Sequence, residues 1–302
     1  MSFELILPFL HPIAEYLADP TISEIMVNPD DSIWIEKNGC KHLTCDRFEA
    51  GELDAGLEVI ANKFGKRLSP DSPILNLRLP DGSRLAAMIP PLVHPDPLLT
   101  IRKFTSRNFT IDDLIERRML TAGEADTLRK AVERGDNILI AGGTGTGKTT
   151  LLNVLADAIP SDERILVIED TAELHIRKPH VVSAESQTDT HRSSVTFDDL
   201  LRAVLRHRPD RIVVGEVRGQ EARTLLDAMN TGHRGTLATI HANSAGEAVY
   251  RLANLAMRSG LNIDRDTVKA EVERSLDIVV QVNRIAGTRM VSELKRIKDT
   301  PK

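Results

Sequence analysis

The run Gly142-Gly-Thr-Gly-Thr-Gly-Lys-Thr149 constrains this chain more than any other stretch. It fits the pattern G-x-x-x-x-G-K-[ST], follows the apolar strand-like segment Asn137-Ile-Leu-Ile-Ala141, and leads into a helix-forming stretch from Leu151 to Ala158. A strand, a glycine-rich turn and a helix in that order make a βα unit. Backbone N–H groups of its turn curl around an anion at the positive end of the helix dipole. Gly142, Gly143, Thr144, Gly145, Thr146 and Gly147 therefore read as a cradle for the phosphates of ATP. Lys148 is expected at the β- and γ-phosphates, the Thr149 hydroxyl on Mg²⁺, and Thr150 in the same binding set.

Two further segments end in acids where a strand should end. Arg164-Ile-Leu-Val-Ile-Glu-Asp-Thr-Ala-Glu173 offers Glu169, Asp170 and Glu173. Ligands of open α/β sheets bind outside the carboxyl ends of the strands, so these groups are candidates for the Mg²⁺ shell or for positioning water. Arg211-Ile-Val-Val-Gly-Glu216 ends the same way, with Gly215 where many phosphate-loop enzymes carry an aspartate. Glu216 is then left to polarise water, to contact Mg²⁺, or both. A third segment, Thr231 to Asn243, has His233 before a predicted strand and His241 at its end, which suggests a sensor of γ-phosphate loss.

Around these motifs the chain reads as two domains, as 302 residues suggest. Residues 1–104 read as α+β, with helices at 13–19 and 49–65. Strands are expected at 24–27, 32–36, 75–79, 84–89 and 98–104, and a turn at Asn38-Gly39. Residues 105–112 read as a linker. Residues 113–302 alternate strands (137–141, 164–169, 211–215, 236–241) with helices (147–158, 196–206, 219–230), the pattern of a parallel sheet covered on both faces. Two more helices and a hairpin at 277–283 and 288–296 follow. The formal net charge of -5 argues against nucleic acid as the primary partner, although arginines cluster at 202–211. No uncharged run reaches membrane-spanning length, and the apolar stretch from Phe3 to Leu10 lacks the basic leader of a secretory signal. Cys40 and Cys45 read as reduced thiols of a cytoplasmic protein.

In order, GGTGTGKTT, ILVIEDTAEL, RPDRIVVGEVRG and TGHRGTLATIHAN resemble the four nucleotide motifs of the type II/type IV secretion ATPase superfamily. ISEIMVNPDDSIWIEKNG, LRLPDGSRLAAMIPP and LTIRKF resemble its N-terminal domain, and within the superfamily the chain looks most like the conjugal transfer ATPases. The resemblance implies an α/β, RecA-like C-terminal ATPase domain with a smaller α+β N-terminal domain. It implies a homohexameric ring with ATP between the domains, cytoplasmic and peripheral to the inner membrane through components of a secretion or conjugation machine. By the same resemblance Arg84 and Arg102 match arginines that reach the phosphates, and Arg218 serves the phosphate site or a subunit contact. Without it, Arg84 and Arg102 would read as strand residues facing solvent. The expected chemistry is in-line attack of water on the γ-phosphate, oriented by Glu216 or Glu169. A nucleotide-dependent assembly switch and a DNA-directed motor are the competing readings.

Overall fold

Alternation of apolar and polar residues in the first hundred positions makes strands with one buried face. In β4 below, Leu75 and Leu77 turn inward while Ile74, Asn76 and Arg78 stay exposed. A computed structural model of the chain describes residues 6–37, 39–103, 109–170, 172–186, 195–260 and 263–298, in two units, Met1–Arg107 and Asn108–Lys302.

The first unit begins with a 3₁₀ segment, Leu7–Ile13, and α1, Ala14–Ala18. Then come β1 Ile22–Val27, β2 Ile33–Lys37, β3 Cys40–Leu43, α2 Glu52–Lys63, β4 Ile74–Arg78, β5 Arg84–Met88 and β6 Leu98–Arg102. The strands form one antiparallel sheet in the order β3-β2-β1-β6-β5-β4. Leu53, Leu57 and Ile60 recur at helical spacing on α2 and bury themselves with Ile25, Leu85, Leu99 and Ile101. The expected turn at Asn38-Gly39 falls partly outside the described residues, as do Phe104 and the first half of the expected linker.

In the second unit the last two residues of that linker, Ile111 and Asp112, are already helical. Thr110 caps α3, Ile111–Glu116, by a capping box with Asp113. Next come α4 Ala122–Arg134, β7 Ile138–Gly142, α5 Lys148–Ala156, β8 Ile165–Glu169, β9 Val181–Glu185 and α6 Phe197–Val204. The chain closes with β10 Arg211–Val217, α7 Glu221–Asn230, β11 Leu237–Ile240, α8 Ala245–Met257, α9 Arg265–Ser275, β12 Ile278–Ile285 and β13 Thr288–Arg296. The sheet order is β13-β12-β7-β11-β10-β8-β9, parallel except for the edge strand β13. Separate apolar clusters cover its two faces, so β7, β8 and β11 are buried at every position.

The expected strands and helices of this half are present within a few residues, but α3, α4 and β9 were not expected. For α4 the signals were there: the capping pair Thr121 and Glu124, apolar Ala125, Leu128 and Val132 on one face, and Gly135 in the left-handed region at φ +78 as its stop. Strand β9 has no such signature, since its placement beside β8 rests on sheet pairing alone.

Candidate active site

Four neighbouring parallel strands, β7, β11, β10 and β8, bring their carboxyl ends to one edge, and the motif residues arrive with them. Gly142 ends β7 under tight constraint. A Cβ there would come within 2.4 Å of the Val282 carbonyl oxygen and 2.7 Å of Thr146 Oγ1. Gly145 at φ +70 and Gly147 at φ +100 turn the loop through left-handed backbone before α5 starts at Lys148. The loop thus bares backbone N–H groups at a helix N-terminus, an anion cradle by geometry. Thr149 and Thr150 form the first turn of that helix.

Lys148 is buried; its ammonium donates to the Gly143 carbonyl at 2.8 Å and lies 3.5 Å from His241 Nδ1. Burial lowers its pKa, partly offset by Glu216. His241, just past β11, has Nε2 at 3.1 Å from Glu216 Oε1. Burial and then the nearby Lys148 charge lower the His241 pKa, which favours the neutral ring. Arg218 grips Glu216 through Nε at 2.8 Å and a terminal nitrogen at 2.9 Å, and reaches Asp170 at 3.2 Å. Burial pushes the Glu216 carboxyl up, but the hydrogen bonds and charge of Arg218, with His241 and Lys148, outweigh it and hold the acid below its ordinary range. Asp170 also accepts from Ser186 Oγ at 3.1 Å. The result is an unbroken polar chain: Lys148, His241, Glu216, Arg218, Asp170, Ser186.

Glu169 stands apart from that chain. Only 4% exposed, it accepts the Glu173 and Leu174 backbone N–H groups through Oε1 at 2.9 and 3.0 Å, which ties down the loop that carries Glu173. Its Oε2 is buried with no partner among the described residues. Burial raises its pKa to about 7, against the pull of those two hydrogen bonds. The same side chain accounts for Gly215: a Cβ there would sit 2.9 Å from Glu169 Cγ, so an aspartate has no room. Gly215 is held in turn by Thr239 Oγ1, which donates to its carbonyl at 2.6 Å.

His233 is not brought to this cluster. It precedes β11, at the end of that strand opposite His241, and its Nδ1 is buried without a partner among the described residues. Arg84 and Arg102 belong to the first unit, directly opposed on β5 and β6. Glu221 was missed. It is 6% exposed and accepts the backbone N–H groups of Arg218 and Gly219 at 2.6 and 2.7 Å, which sets the turn from which Arg218 reaches back. An acid three residues after Arg218 at a helix start was the available signal.

Among the described residues no group of three or more His, Cys, Asp or Glu side chains is arranged to hold a metal ion by itself. The oxygens near the loop, a threonine hydroxyl and carboxylates, are of the hard kind that suits Mg²⁺ shared with phosphates. No described helix is long and apolar enough to cross a membrane.

The model of the family described as type II/IV secretion system protein matches residues 10–296. The conjugal transfer protein TrbB of Rhizobium radiobacter is 35% identical over 287 residues, covering 93% of this chain and 85% of that protein. The type IV secretion system protein VirB11 of Bartonella quintana is 33% identical over 328 residues, covering 96% and 92%. Among solved structures, the VirB11 ATPase of the Brucella suis type IV secretion system, in complex with sulphate, aligns with a TM-score of 0.53 at 28% identity, covering 96% of this chain and 94% of that one.

Proposed function

The chain belongs to the type II/IV secretion system protein family and is an ATPase, and on that premise we propose that it works as a Mg²⁺-dependent homohexameric ring motor in a conjugal transfer or other type IV machine. Its fold is mixed α/β; the RecA-like assignment of the second unit is part of the proposal, supported by the parallel sheet and the loop after β7. The machine's inner-membrane components are its proposed partners, and its proposed place is the cytoplasmic face of that membrane.

The observation that carries the reading is the chain from Lys148 through His241 to Glu216 and Arg218 beside the glycine cradle. Residues Gly142 to Thr150 bind the triphosphate, Lys148 neutralises charge on its terminal oxygens, and Glu216, held ionised by Arg218, orients the attacking water. Glu216 is better supported in this role than Glu169, whose carboxyl faces its own loop. The Thr149 hydroxyl with Glu216 and Asp170 would hold Mg²⁺, which when bound supplies further charge neutralisation at the phosphates. His241 links the lysine to the acid, so it is placed to transmit loss of the γ-phosphate. Arg84 and Arg102 are proposed phosphate contacts on the strength of the resemblance and of arginine's bidentate fork.

The test is the Mg²⁺-dependent hydrolysis rate against protein concentration, with Lys148→Ala as blank and the mass measured alongside. Specific activity that rises and levels off as a six-fold mass forms supports the ring. Constant specific activity in a monomer removes the ring, and turnover retained by Lys148→Ala removes the assigned site.

A further inference from the structure

The side of the phosphate loop facing away from the acids carries two side chains that the chemistry above does not use. A Cβ built on Gly147 would lie 3.1 Å from Met119 Cε and 3.5 Å from Arg289 Cδ, so both side chains border the loop just before α5. Met119 is 5% exposed and belongs to the apolar cluster that also holds Leu151 and Val291. Arg289 is exposed near the start of β13, directly opposite Arg284 on β12, and among the described residues it has no ion-pair partner. The two are held in one place because the Val291 N–H donates to the Met119 carbonyl at 2.6 Å, which pins β13 to the segment between α3 and α4.

Sheet order says which end of a nucleotide arrives there. Lys148 leans toward His241 and Glu216, on the β11 and β10 side of β7, so the γ-phosphate belongs on that side. A triphosphate laid across the loop then directs its α-phosphate and nucleoside to the opposite side, where β12 and β13 stand. A base arriving there has no aromatic partner in Met119 or Arg289, but it meets a polarisable sulfur and a planar cation, both of which bind a π-face. We infer that the base of the bound nucleotide packs under the Arg289 guanidinium, with the edge of the nearly buried Met119 as the floor behind it, and that this site favours a purine, with its larger stacking face, over a pyrimidine. The inference rests on the nucleotide-binding reading and adds to it the residues that select the base.

Calorimetric titration of the full chain with ADP, GDP, CDP and inorganic tripolyphosphate tests it. Arg289→Ala is expected to weaken ADP and GDP about tenfold, the scale of one lost base stack. It should weaken CDP less and leave tripolyphosphate unchanged. Arg289→Lys is expected to resemble the alanine variant, since an ammonium has no plane to stack, and Met119→Leu to show a smaller loss of the same kind. Tripolyphosphate weakened in step with ADP would make Arg289 a phosphate contact and overturn the inference; unchanged ADP affinity would overturn it as well. Wild-type chain that binds neither ADP nor tripolyphosphate would instead bring down the nucleotide-binding reading, and this inference with it.

Discussion

The two units use their strands in opposite ways. In the first, antiparallel strands with alternating burial spread side chains over two faces, and Arg78, Arg84 and Arg102 fall side by side on β4, β5 and β6. In the second, parallel strands bury both faces and leave chemistry only at their ends, so Lys148, Glu216 and His241 converge from three elements. A parallel sheet concentrates function at one edge, whereas an antiparallel sheet offers a surface. The second unit can therefore be read as a site from its own contacts, while the first sets three arginines in register across neighbouring strands.

The largest effect on the second unit is expected from Glu216→Gln. Hydrolysis should fall by roughly a hundredfold or more, the scale of a lost positioning base, with ADP affinity kept within a few fold. A rate near wild type in a single-turnover assay would move the chemistry elsewhere. Next, Leu57→Ala, fully buried on α2, should cost about 2–5 kcal/mol in denaturant unfolding. If the units are separate cores, a probe in the first unit should report that loss and ADP binding by the second should persist. Loss of both together would make them one cooperative body.

Glu169 sharpens the account of the buried edge. Its carboxyl, normally at 4.5, is raised to about 7 by burial, so the folded chain holds a proton that the unfolded chain releases. Stability from this group is therefore full below about 4.5 and lost as pH rises through about 7. Glu169→Gln should remove that slope and gain on the order of 2–3 kcal/mol at pH 8 relative to pH 5, read from urea midpoints. Parallel pH profiles for the two proteins would show that the carboxyl is ionised in place. The smallest effect on folding, under about 0.5 kcal/mol, is expected for Arg84→Lys and Arg102→Lys, as for surface substitutions in general. The same variants should slow hydrolysis if the first unit contributes phosphate contacts; unchanged rates would leave its arginine row a solvated face.

Much of this molecule is written in short stretches of chain. The glycine loop needs only eight consecutive residues with left-handed backbone at Gly145 and Gly147, and its flanking strand and helix follow from apolar runs beside it. The acids at the ends of β8 and β10 were legible for the same reason, because a strand end and its residue type are both local. Pairing is not local. That Glu169 fills the space an aspartate at position 215 would need, that Arg218 binds Glu216 from a turn set by Glu221, and that His233 lies at the far end of β11 from His241 all depend on residues distant in sequence or on which way a strand runs. The same holds for Met119 and Arg289, which are 170 positions apart and meet at Gly147 only because β12 pairs with β7. Sequence determined which chemical groups the chain has and which local turns they sit on, since those follow from propensity and sterics over a few residues. Tertiary structure decided which groups touch and which acid is buried, because those follow from sheet order and close packing over the whole unit.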